Sequence, residues 1–366
     1  MPRLSKKNRE TRAPTLADVG RAAGVSAMAA SAVLNGAQTS SRISDATRAR
    51  ILKAAAKLQY RPNAAARALA NRRMQTLGVA AVVESGGINP YFMEVLNGIL
   101  EAAARHEQNI TVFALHDWSR DATRIQDFCD GRIDGLILLA PTFEAEKVTL
   151  PPHTPFVSVH ANSPLPGIVN VESDEERGAF EMVRHLGAQG HRRIMHIAGP
   201  SGMIGAERRV RGYKRALTGL RIPFDARLLA AANYTSDGGR EAMRAWLRRH
   251  AGEPLPHAVF CANDATAIGC LEALAEVGLK VPDDISVAGF DDTLAARTAV
   301  PQLTTVKQPL RSMGIRAAEV LLQRIAQQNG AGGTVSVKPI IFPVDLVPRN
   351  SVGSPPVVER LVPAVR

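Results

Sequence analysis

Beyond residue 76, short apolar runs alternate with longer amphipathic segments. The short runs are almost continuously Val, Ile, Leu and Ala, which is typical of parallel strands buried on both faces. The predicted strands are 77–83, 110–114, 135–139, 156–159, 194–198, 258–261 and 285–289. The helical segments between them include 90–106, 175–189, 238–249 and 264–277. This alternation predicts an α/β body made of two doubly wound parallel-sheet subdomains.

The first 60 residues carry only helical periodicity, in three short segments. Thr15 and Ser44 are good N-caps for the first and third segments, and Ser26 caps the second. Asp18 follows Thr15 by three residues, which is the spacing of a capping box. Gly24 tolerates the positive φ needed between the first two helices. The pattern predicts an all-α helix-turn-helix head.

Charge is distributed unevenly between the head and the body. Residues 1–76 hold 15 Lys and Arg against 3 acidic residues, whereas the remaining 290 residues hold 30 basic and 31 acidic side chains. A basic head on a neutral body is typical of a nucleic-acid reader joined to a domain with another task. We therefore expect the head to bind double-stranded DNA.

The composition also excludes several classes of protein. The sequence has no apolar run of membrane-spanning length and no signal-peptide pattern, so we expect a soluble, cytoplasmic protein without a membrane partner. The three cysteines form no metal-binding motif, and we expect no metal and no cofactor. Phosphate-binding glycine loops and the nucleophile elbow of hydrolases are absent, so we do not expect an enzyme.

The sequence predicts five segments. A short Ala-rich stretch after Pro62 is too short to be stable as an isolated helix. The last residues are rich in Pro and Val and lack periodicity. The segments are a basic disordered arm at 1–13, the helix-turn-helix domain at 14–60, a hinge helix and linker at 61–75, the two-lobed body at 76–350 and an irregular tail at 351–366.

A series of motifs runs through residues 14–350. The head carries Thr15-Leu-Ala-Asp-Val and Tyr60-Arg-Pro-Asn-Ala64, and the body carries Asn89-Pro-Tyr-Phe92, Arg209-Val-Arg-Gly-Tyr213 and Val281-Pro-Asp-Asp-Ile. In these motifs the chain resembles the lactose repressor (LacI/GalR) family of bacterial transcription regulators. The resemblance implies a periplasmic-binding-protein-like body, a homodimer or higher oligomer, a near-palindromic operator and a sugar, sugar acid or similar metabolite as effector.

The resemblance also implies which residues read DNA. Ala27, Met28 and Ala32 would face base edges, and Leu69 would enter the minor groove from a hinge helix. Where the family usually has an arginine, Ala32 cannot grip a guanine. Met28 packed inside the head and Leu69 packed on the body remain the alternatives. The expected DNA-binding residues are Thr15, Ser26, Ala27, Met28, Ser31, Ala32, Asn35, Asn63, Arg67 and Leu69.

The resemblance also implies which residues bind the effector, and these positions fall at predicted strand ends. Ligands of open parallel sheets bind at the carboxyl ends of strands. Helix capping by Asp174 and Asp291, and a salt bridge at Arg209, are the alternatives. Trp118, after the second strand, is expected to be a surface or core aromatic, with covering of a ligand as the alternative. The expected effector-binding residues are Tyr91, Phe92, Asp174, Arg209, Phe260, Asn263 and Asp291.

Two functions remain open beside an effector-controlled repressor. The first is a constitutive DNA-binding regulator whose cleft takes no effector. The second is a solute-binding protein, because the body alone would have the same pattern, although the basic head and the missing signal peptide argue against it.

Overall fold

The computed structural model describes residues 12–35, 43–61, 73–83, 89–331, 333, 335–358 and 360–363. Most of the predicted arm at 1–13 and nearly all of the predicted hinge segment lie outside the described residues, and so do Asn63, Arg67 and Leu69. The chain divides into two units. One is Met1–Thr76 with Gly131–Asp134, and the other is Leu77–Asp130 with Gly135–Arg366.

The head is a three-helix unit, formed by α1 (Leu16–Ala23), α2 (Ala27–Asn35) and α3 (Asp45–Lys57). The predicted caps are confirmed. Thr15 and Asp18 form a reciprocal capping box, and Ser44 accepts a hydrogen bond from the third helical residue of α3. Each cap satisfies a backbone N–H that the helix itself leaves unpaired.

Two glycines allow α1 and α2 to approach closely. Gly24 ends α1 with φ 68°, as predicted. A Cβ on Gly20 would lie 2.8 Å from the carbonyl oxygen of Val25, so a side chain there would push the helices apart. The helices bury a small aliphatic core in which Val19 and Ile51 are fully inaccessible, each worth about 1.5–3 kcal/mol.

The first lobe of the body is a six-stranded, all-parallel sheet in the order β11-β5-β4-β3-β1-β2. Its strands are β1 (Thr76–Val82), β2 (Asn109–Leu115), β3 (Gly135–Leu139), β4 (Phe156–Val159), β5 (Val169–Ser173) and β11 (Ile340–Phe342). Its helices are α4 (Pro90–Arg105), α5 (Trp118–Asp121), α6 (Ile125–Phe128) and α12 (Leu310–Gln328). Aliphatic side chains of the sheet pack against α4 and α12 to form one core.

The second lobe is a four-stranded parallel sheet in the order β7-β6-β8-β9. Its strands are β6 (Ile194–Ala198), β7 (Leu229–Ala231), β8 (Ala258–Cys261) and β9 (Ser286–Ala288). Its helices are α7 (Glu175–Ala188), α8 (Ile204–Gly219), α9 (Ser236–Arg249), α10 (Asp264–Glu276) and α11 (Leu294–Thr298). Separate apolar clusters cover the two faces of this sheet, as expected for a doubly wound fold.

The chain passes between the lobes three times. It leaves the first sheet after β5, returns between β10 (Thr305–Lys307) and α12, and leaves again between β11 and β12 (Asp345–Val347). The strands β10 and β12 pair with each other in an antiparallel ribbon. The crossing segments therefore place residues 173, 174 and 308 next to the space between the sheets.

Residues after 350, which were predicted to form an irregular tail, pack on the second lobe. Ser351 is fully buried and its hydroxyl donates to the carbonyl of Val287 at 2.6 Å. Val362 is buried in the same lobe and exchanges backbone hydrogen bonds with Gly252 and Glu253. The segment has little regular structure, yet it is packed because its backbone groups find partners on the lobe.

No helix within the described ranges is both long enough and apolar enough to cross a membrane.

Candidate functional site

A cavity of about 420 Å³ opens between the two sheets of the body. Five of the seven predicted effector residues line it, namely Tyr91, Phe92, Arg209, Asn263 and Asp291. Residues from the carboxyl ends of β1, β2, β3 and β4 form one side, and residues that follow β7, β8 and β9 form the other. The remaining lining residues include His116, Trp118, His160, Asn162, Glu175, Asn233 and Tyr234.

The other two predicted effector residues, Asp174 and Phe260, do not line this cavity. Asp174 caps α7 by accepting a hydrogen bond from the backbone N–H of Arg177 at 3.1 Å. Phe260 is fully buried in the core of the second lobe, where its ring stacks on His196 at 4.7 Å. Side chains at neighbouring positions of a strand, or of the first turn of a helix, point in different directions. For this reason neither side chain lines the cavity.

Aromatic rings form much of the apolar surface of the cavity. Trp118 is 3% exposed, and its indole N–H donates to the carbonyl of Leu139 at 3.2 Å. Its ring packs against Phe143 with centroids 5.5 Å apart. Trp118 is thus buried, as expected for a core aromatic, and it also lines the cavity, where the alternative placed it. Flat rings with a fixed orientation suit the apolar face of a ring-shaped ligand.

Arg209 enters the cavity already paired with Glu175. Its Nη2 lies 2.9 Å from Glu175 Oε1, and its Nη1 donates to the carbonyl of Ala262. The guanidinium also lies over the ring of Phe290 at 4.2 Å from the centroid. The salt-bridge alternative for Arg209 is therefore confirmed. Arg209 Nε is buried and has no hydrogen-bond partner among the described residues, so it can still donate to a ligand.

Two buried aspartates lie behind the second side of the cavity. Asp264 accepts hydrogen bonds from the backbone and hydroxyl of Thr293 and from the hydroxyl of Thr305. Asp291 has φ 125° and accepts from Gln308 Nε2 at 2.6 Å. Burial, followed by repulsion from Asp264, raises the pKa of Asp291 to about 8. At neutral pH, Asp291 is thus largely an uncharged carboxylic acid.

Asn263 and Tyr234 support each other at the rim of the second lobe. Asn263 Oδ1 caps α10 through the backbone N–H of Thr266, and Asn263 Nδ2 donates to the carbonyl of Tyr234 at 2.9 Å. Burial, the largest cause, raises the pKa of Tyr234 to about 12, so its hydroxyl stays protonated. The predicted residue Asn263 thus positions an aromatic residue that the sequence analysis did not identify.

His160 is a second residue that the sequence analysis missed. It follows β4 with φ 47°, and its Nδ1 lies 2.7 Å from the Tyr91 hydroxyl. Burial lowers the pKa of His160 to about 4, so the ring is neutral near pH 7. Its position directly after the predicted strand 156–159 is the sequence signal that could have identified it.

The start of α2 is the most accessible part of the predicted DNA-reading surface. Ser26 caps α2 through the backbone N–H of Ala29, and Ala27 follows it on the exposed surface. Met28 is 77% exposed, which contradicts the alternative that it packs inside the head. The helix carries no charged side chain, so it offers methyl and thioether groups instead of a cationic fork.

Ala32 is less accessible than expected for a residue that would face base edges. It is 7% exposed, so its short side chain has little surface to present to a base edge. Ser31 and Asn35 lie one turn apart, and Asn35 Nδ2 donates to Ser31 Oγ at 2.9 Å. Thr15 holds the first turn of α1 through its hydroxyl, as described above. Basic side chains on α3 are exposed, namely Arg48, Arg50, Lys53 and Lys57.

Within the described ranges, no group of three or more His, Cys, Asp or Glu side chains is arranged to hold a metal ion.

Comparisons with known proteins match both units. Residues 15–63 match the family model described as bacterial regulatory proteins, lacI family, and residues 183–352 match that of a periplasmic binding protein-like domain. The transcriptional regulator GalR of Salmonella typhimurium is 34% identical over 346 residues, which are 93% of this chain and 96% of that protein. The repressor CytR of Escherichia coli is 33% identical over 337 residues, 90% of this chain and 95% of that protein.

Solved structures of similar fold include complexes with DNA and with sugars. A lac repressor dimer bound to operator and the anti-inducer ONPF aligns with TM-score 0.77 and 29% identity, covering 93% of this chain and 100% of that chain. The transcriptional regulator CelR in complex with cellobiose aligns with TM-score 0.66 and 28% identity, covering 92% of this chain and 99% of that chain.

Proposed function

The chain belongs to the lacI family of bacterial regulatory proteins, which are DNA-binding transcriptional regulators, and we propose that it is a repressor controlled by a neutral, polyhydroxylated effector. The observation that carries the effector class is the buried ion pair between Arg209 and Glu175. An arginine that already has a carboxylate partner cannot offer its full charge and its fork to an acidic ligand.

The other groups of the cavity support a neutral ligand. Asp291 is largely protonated at neutral pH and His160 is neutral, so neither presents a charge to an ionic ligand. Trp118 and Tyr234 offer ring surfaces, while Asn162 and Asn233 offer amide groups. This combination suits sugar hydroxyls and a sugar's apolar face, which narrows the earlier expectation of a sugar or a sugar acid.

We assign five residues to effector contact: Tyr91, Phe92, Arg209, Asn263 and Asp291. We add Trp118, His160 and Tyr234, because they line the same cavity. An effector oxygen is the matching acceptor for Arg209 Nε, and an effector hydroxyl is the matching donor for Asp291 in its charged form.

For operator reading, we propose that Ser26, Ala27 and Met28 at the start of α2 enter the major groove, with Ser31 and Asn35 nearer the backbone. We retain Thr15, Asn63, Arg67 and Leu69 as DNA contacts from the family resemblance. The exposed basic side chains of α3 attract the DNA phosphates. The Lys and Arg residues of the segment 1–13 add positive charge to the same unit. Because α2 lacks charge, we infer that much of the specificity comes from thymine methyl contacts and DNA shape.

The near-palindromic symmetry of the expected operator favours a homodimer. Two heads related by a two-fold axis match a near-palindromic site, and the lac repressor in the similar structure is a dimer on its operator. In this chain, α4 and the edge strand β2 expose the large apolar side chains Met93, Leu100 and Val112. We propose that a second copy covers this surface. A regulator that acts on chromosomal DNA works in the cytoplasm, and we propose that location.

A test of the proposal combines operator selection with calorimetry. Operators are selected from genomic fragments, and the full-length protein is then titrated with cellobiose, a hexose, a pentose and the matched uronic acids. We expect saturable heat for at least one neutral sugar and a change in operator affinity at the same concentration. Tighter binding of the uronic acids than of the neutral sugars would overturn the proposal of a neutral effector.

The two alternatives give different results in the same experiment. Operator binding that no sugar alters identifies a constitutive regulator. Sugar binding without any preference for a selected duplex over scrambled DNA identifies a solute-binding protein. The relatives are regulators and not enzymes, and we propose no catalytic role.

A further inference from the structure

A row of hydrogen-bonded side chains runs behind the cavity wall from Tyr91 to Asp291. The Tyr91 hydroxyl contacts His160 Nδ1 at 2.7 Å, and His160 Nε2 lies 3.1 Å from Ser173 Oγ. Ser173 Oγ donates a short hydrogen bond to Gln308 Oε1, and Gln308 Nε2 donates to Asp291 Oδ1 at 2.6 Å. We call these five side chains the relay. All except Tyr91 are buried.

The relay joins the two lobes where the chain crosses between them. Ser173 is the last residue of β5, and Gln308 lies between β10 and α12. Neither lines the cavity, whereas Tyr91, His160 and Asp291 do. The two ends of the relay therefore face the ligand space, and its middle is enclosed by protein.

The neighbouring groups determine which ring nitrogen of His160 carries the proton. The backbone N–H of Ser173 donates to His160 Nε2 at 3.2 Å, so this nitrogen is an acceptor. Because burial lowers the pKa of His160 to about 4, the ring holds a single proton near pH 7, and that proton is on Nδ1. His160 thus donates to the Tyr91 hydroxyl oxygen, which leaves the Tyr91 hydroxyl proton directed at the cavity.

Gln308 can meet both protonation states of Asp291 without moving its backbone. When Asp291 is charged, Gln308 Nε2 donates to it and Gln308 Oε1 accepts from Ser173, as observed. When Asp291 carries a proton, the Gln308 side-chain amide is again the group within hydrogen-bond distance. A half-turn of the amide presents Oε1 to that proton and Nε2 to Ser173 Oγ. The Ser173 hydroxyl proton then turns toward His160 Nε2, where it shares the single lone pair of that nitrogen with the backbone N–H of Ser173. The two ends of an amide are nearly equal in size, so packing does not oppose the turn.

The groups around Asp291 place the exchangeable proton on it and not on Asp264. Burial raises the pKa of Asp264 to only about 6, because three donors favour its anion, whereas Asp291 has only the one donor from Gln308. Arg209 favours the charged form of Asp291, whereas burial and the nearby anions oppose it. The titratable groups that face Asp291 are Asp264, Arg209, Glu175, Tyr91 and Tyr234.

We propose that Gln308 is a proton-responsive positioning residue, whose amide turns over when Asp291 gains or loses a proton and thereby reverses the Ser173 hydroxyl that faces His160. An effector hydroxyl that donates to Asp291 favours the charged arrangement. This consequence for the effector rests on the proposed function, whereas the relay itself does not.

The test follows the His160 ring by NMR in full-length, effector-free protein with labelled histidine and aspartate. The titration spans about pH 6 to 9, which brackets the pKa of Asp291 near 8. In the wild type we expect the His160 signals to shift with the same midpoint as the Asp291 carboxyl signal. Asp291→Asn should abolish both shifts.

The decisive variant is Gln308→Met, which keeps the side-chain length and removes both amide groups. We expect Asp291 to titrate with a higher midpoint, because it loses a donor to its charged form, while the His160 signals stay constant. Ser173→Ala should uncouple His160 in the same way and serves if Gln308→Met fails to fold. The matched control is Gln302→Met at an exposed glutamine, which should reproduce the wild-type curves.

Three results would overturn the proposal: His160 signals that do not change in the wild type, His160 signals that follow Asp291 equally in Gln308→Met and Ser173→Ala, or an Asp291 that stays charged throughout. Because no effector is added, a failure of every sugar to bind would count against the proposed function and leave this result unaffected.

Discussion

Glu175 holds the guanidinium of Arg209 at 2.9 Å inside the cavity, and both side chains are more than nine-tenths buried. Arg208 approaches Glu175 from the other side at 3.7 Å and is itself paired with Glu172 at 2.9 Å. A buried ion pair contributes little net stability, yet removing one partner leaves an uncompensated charge. The intact pair therefore keeps these two charges balanced in the cavity, and loss of either partner would destabilise the fold.

Replacing Glu175 with Gln should destabilise the protein by about 3 kcal/mol, because Arg209 would remain charged and buried without its carboxylate. The cavity would also become cationic, so affinity should shift from neutral sugars toward the matched uronic acids. Urea unfolding and calorimetry measure the two effects.

Glu181→Gln on the same helix is the matched control. Glu181 pairs with Arg184 at 3.5 Å on the surface, and loss of such a pair should cost no more than about 0.5 kcal/mol. Equal losses of stability in the two variants would contradict a special role for Glu175.

Stability should depend on pH through Asp291. Its pKa is raised to about 8 in the folded protein and lies near 3.8 when unfolded, so the folded state binds the extra proton. The stabilisation from this proton is complete below about pH 4 and is lost as the pH rises toward 8. The free energy of unfolding should fall with a slope of up to about 1.4 kcal/mol per pH unit.

The window for this measurement is about pH 6.5 to 8. Below pH 6.5 the buried histidines His160, His191 and His196, whose pKa values burial lowers to about 4, act in the opposite direction, because the unfolded chain takes up their protons. Denaturant titrations of the wild type and of Asp291→Asn at several pH values test the prediction. A slope that persists in the asparagine variant would assign it to another group.

Local chemistry made much of the fold predictable. The cap at Thr15, the turn at Gly24 and the strand Gly135–Leu139 depend on a few adjacent residues, and the structure has them where the sequence predicts them. The strand Val169–Ser173 did not stand out, because Asn170 and Glu172 interrupt its apolar run.

The candidate site was predictable only where strand ends carry it. Tyr91, Arg209 and Asp291 were expected from the family resemblance, which places them at strand ends, where ligands of parallel sheets bind. His160 directly follows the predicted strand 156–159, so the strand-end rule could have pointed to it, whereas Gln308 lies on a crossing between the lobes that no motif marks. The cavity is lined by Glu175, which is adjacent to the expected residue Asp174.

Met28→Ala should weaken binding to the selected operator by about 1 kcal/mol, roughly fivefold, because the thioether loses its contact with a base edge. The head should remain folded, since the side chain is exposed and outside its core. Binding to scrambled duplex should be unchanged, because phosphate contacts supply that affinity. Fluorescence anisotropy with both duplexes makes the measurement, and a parallel loss on scrambled DNA would assign Met28 to nonspecific binding.

Effector binding should be visible in the fluorescence of a single tryptophan. The chain contains two, and only Trp118 lines the cavity, whereas Trp246 packs on His250 in the second lobe with its N–H donating to the carbonyl of Arg227. A sugar that binds in the cavity replaces the water of that cavity beside Trp118, which changes the polarity around the ring and therefore its emission. Trp246→Phe should therefore retain the full response to a binding sugar, and Trp118→Phe should lose it while calorimetry still detects binding, weakened by the smaller ring. A response that survives in Trp118→Phe and disappears in Trp246→Phe would move the effector out of this cavity.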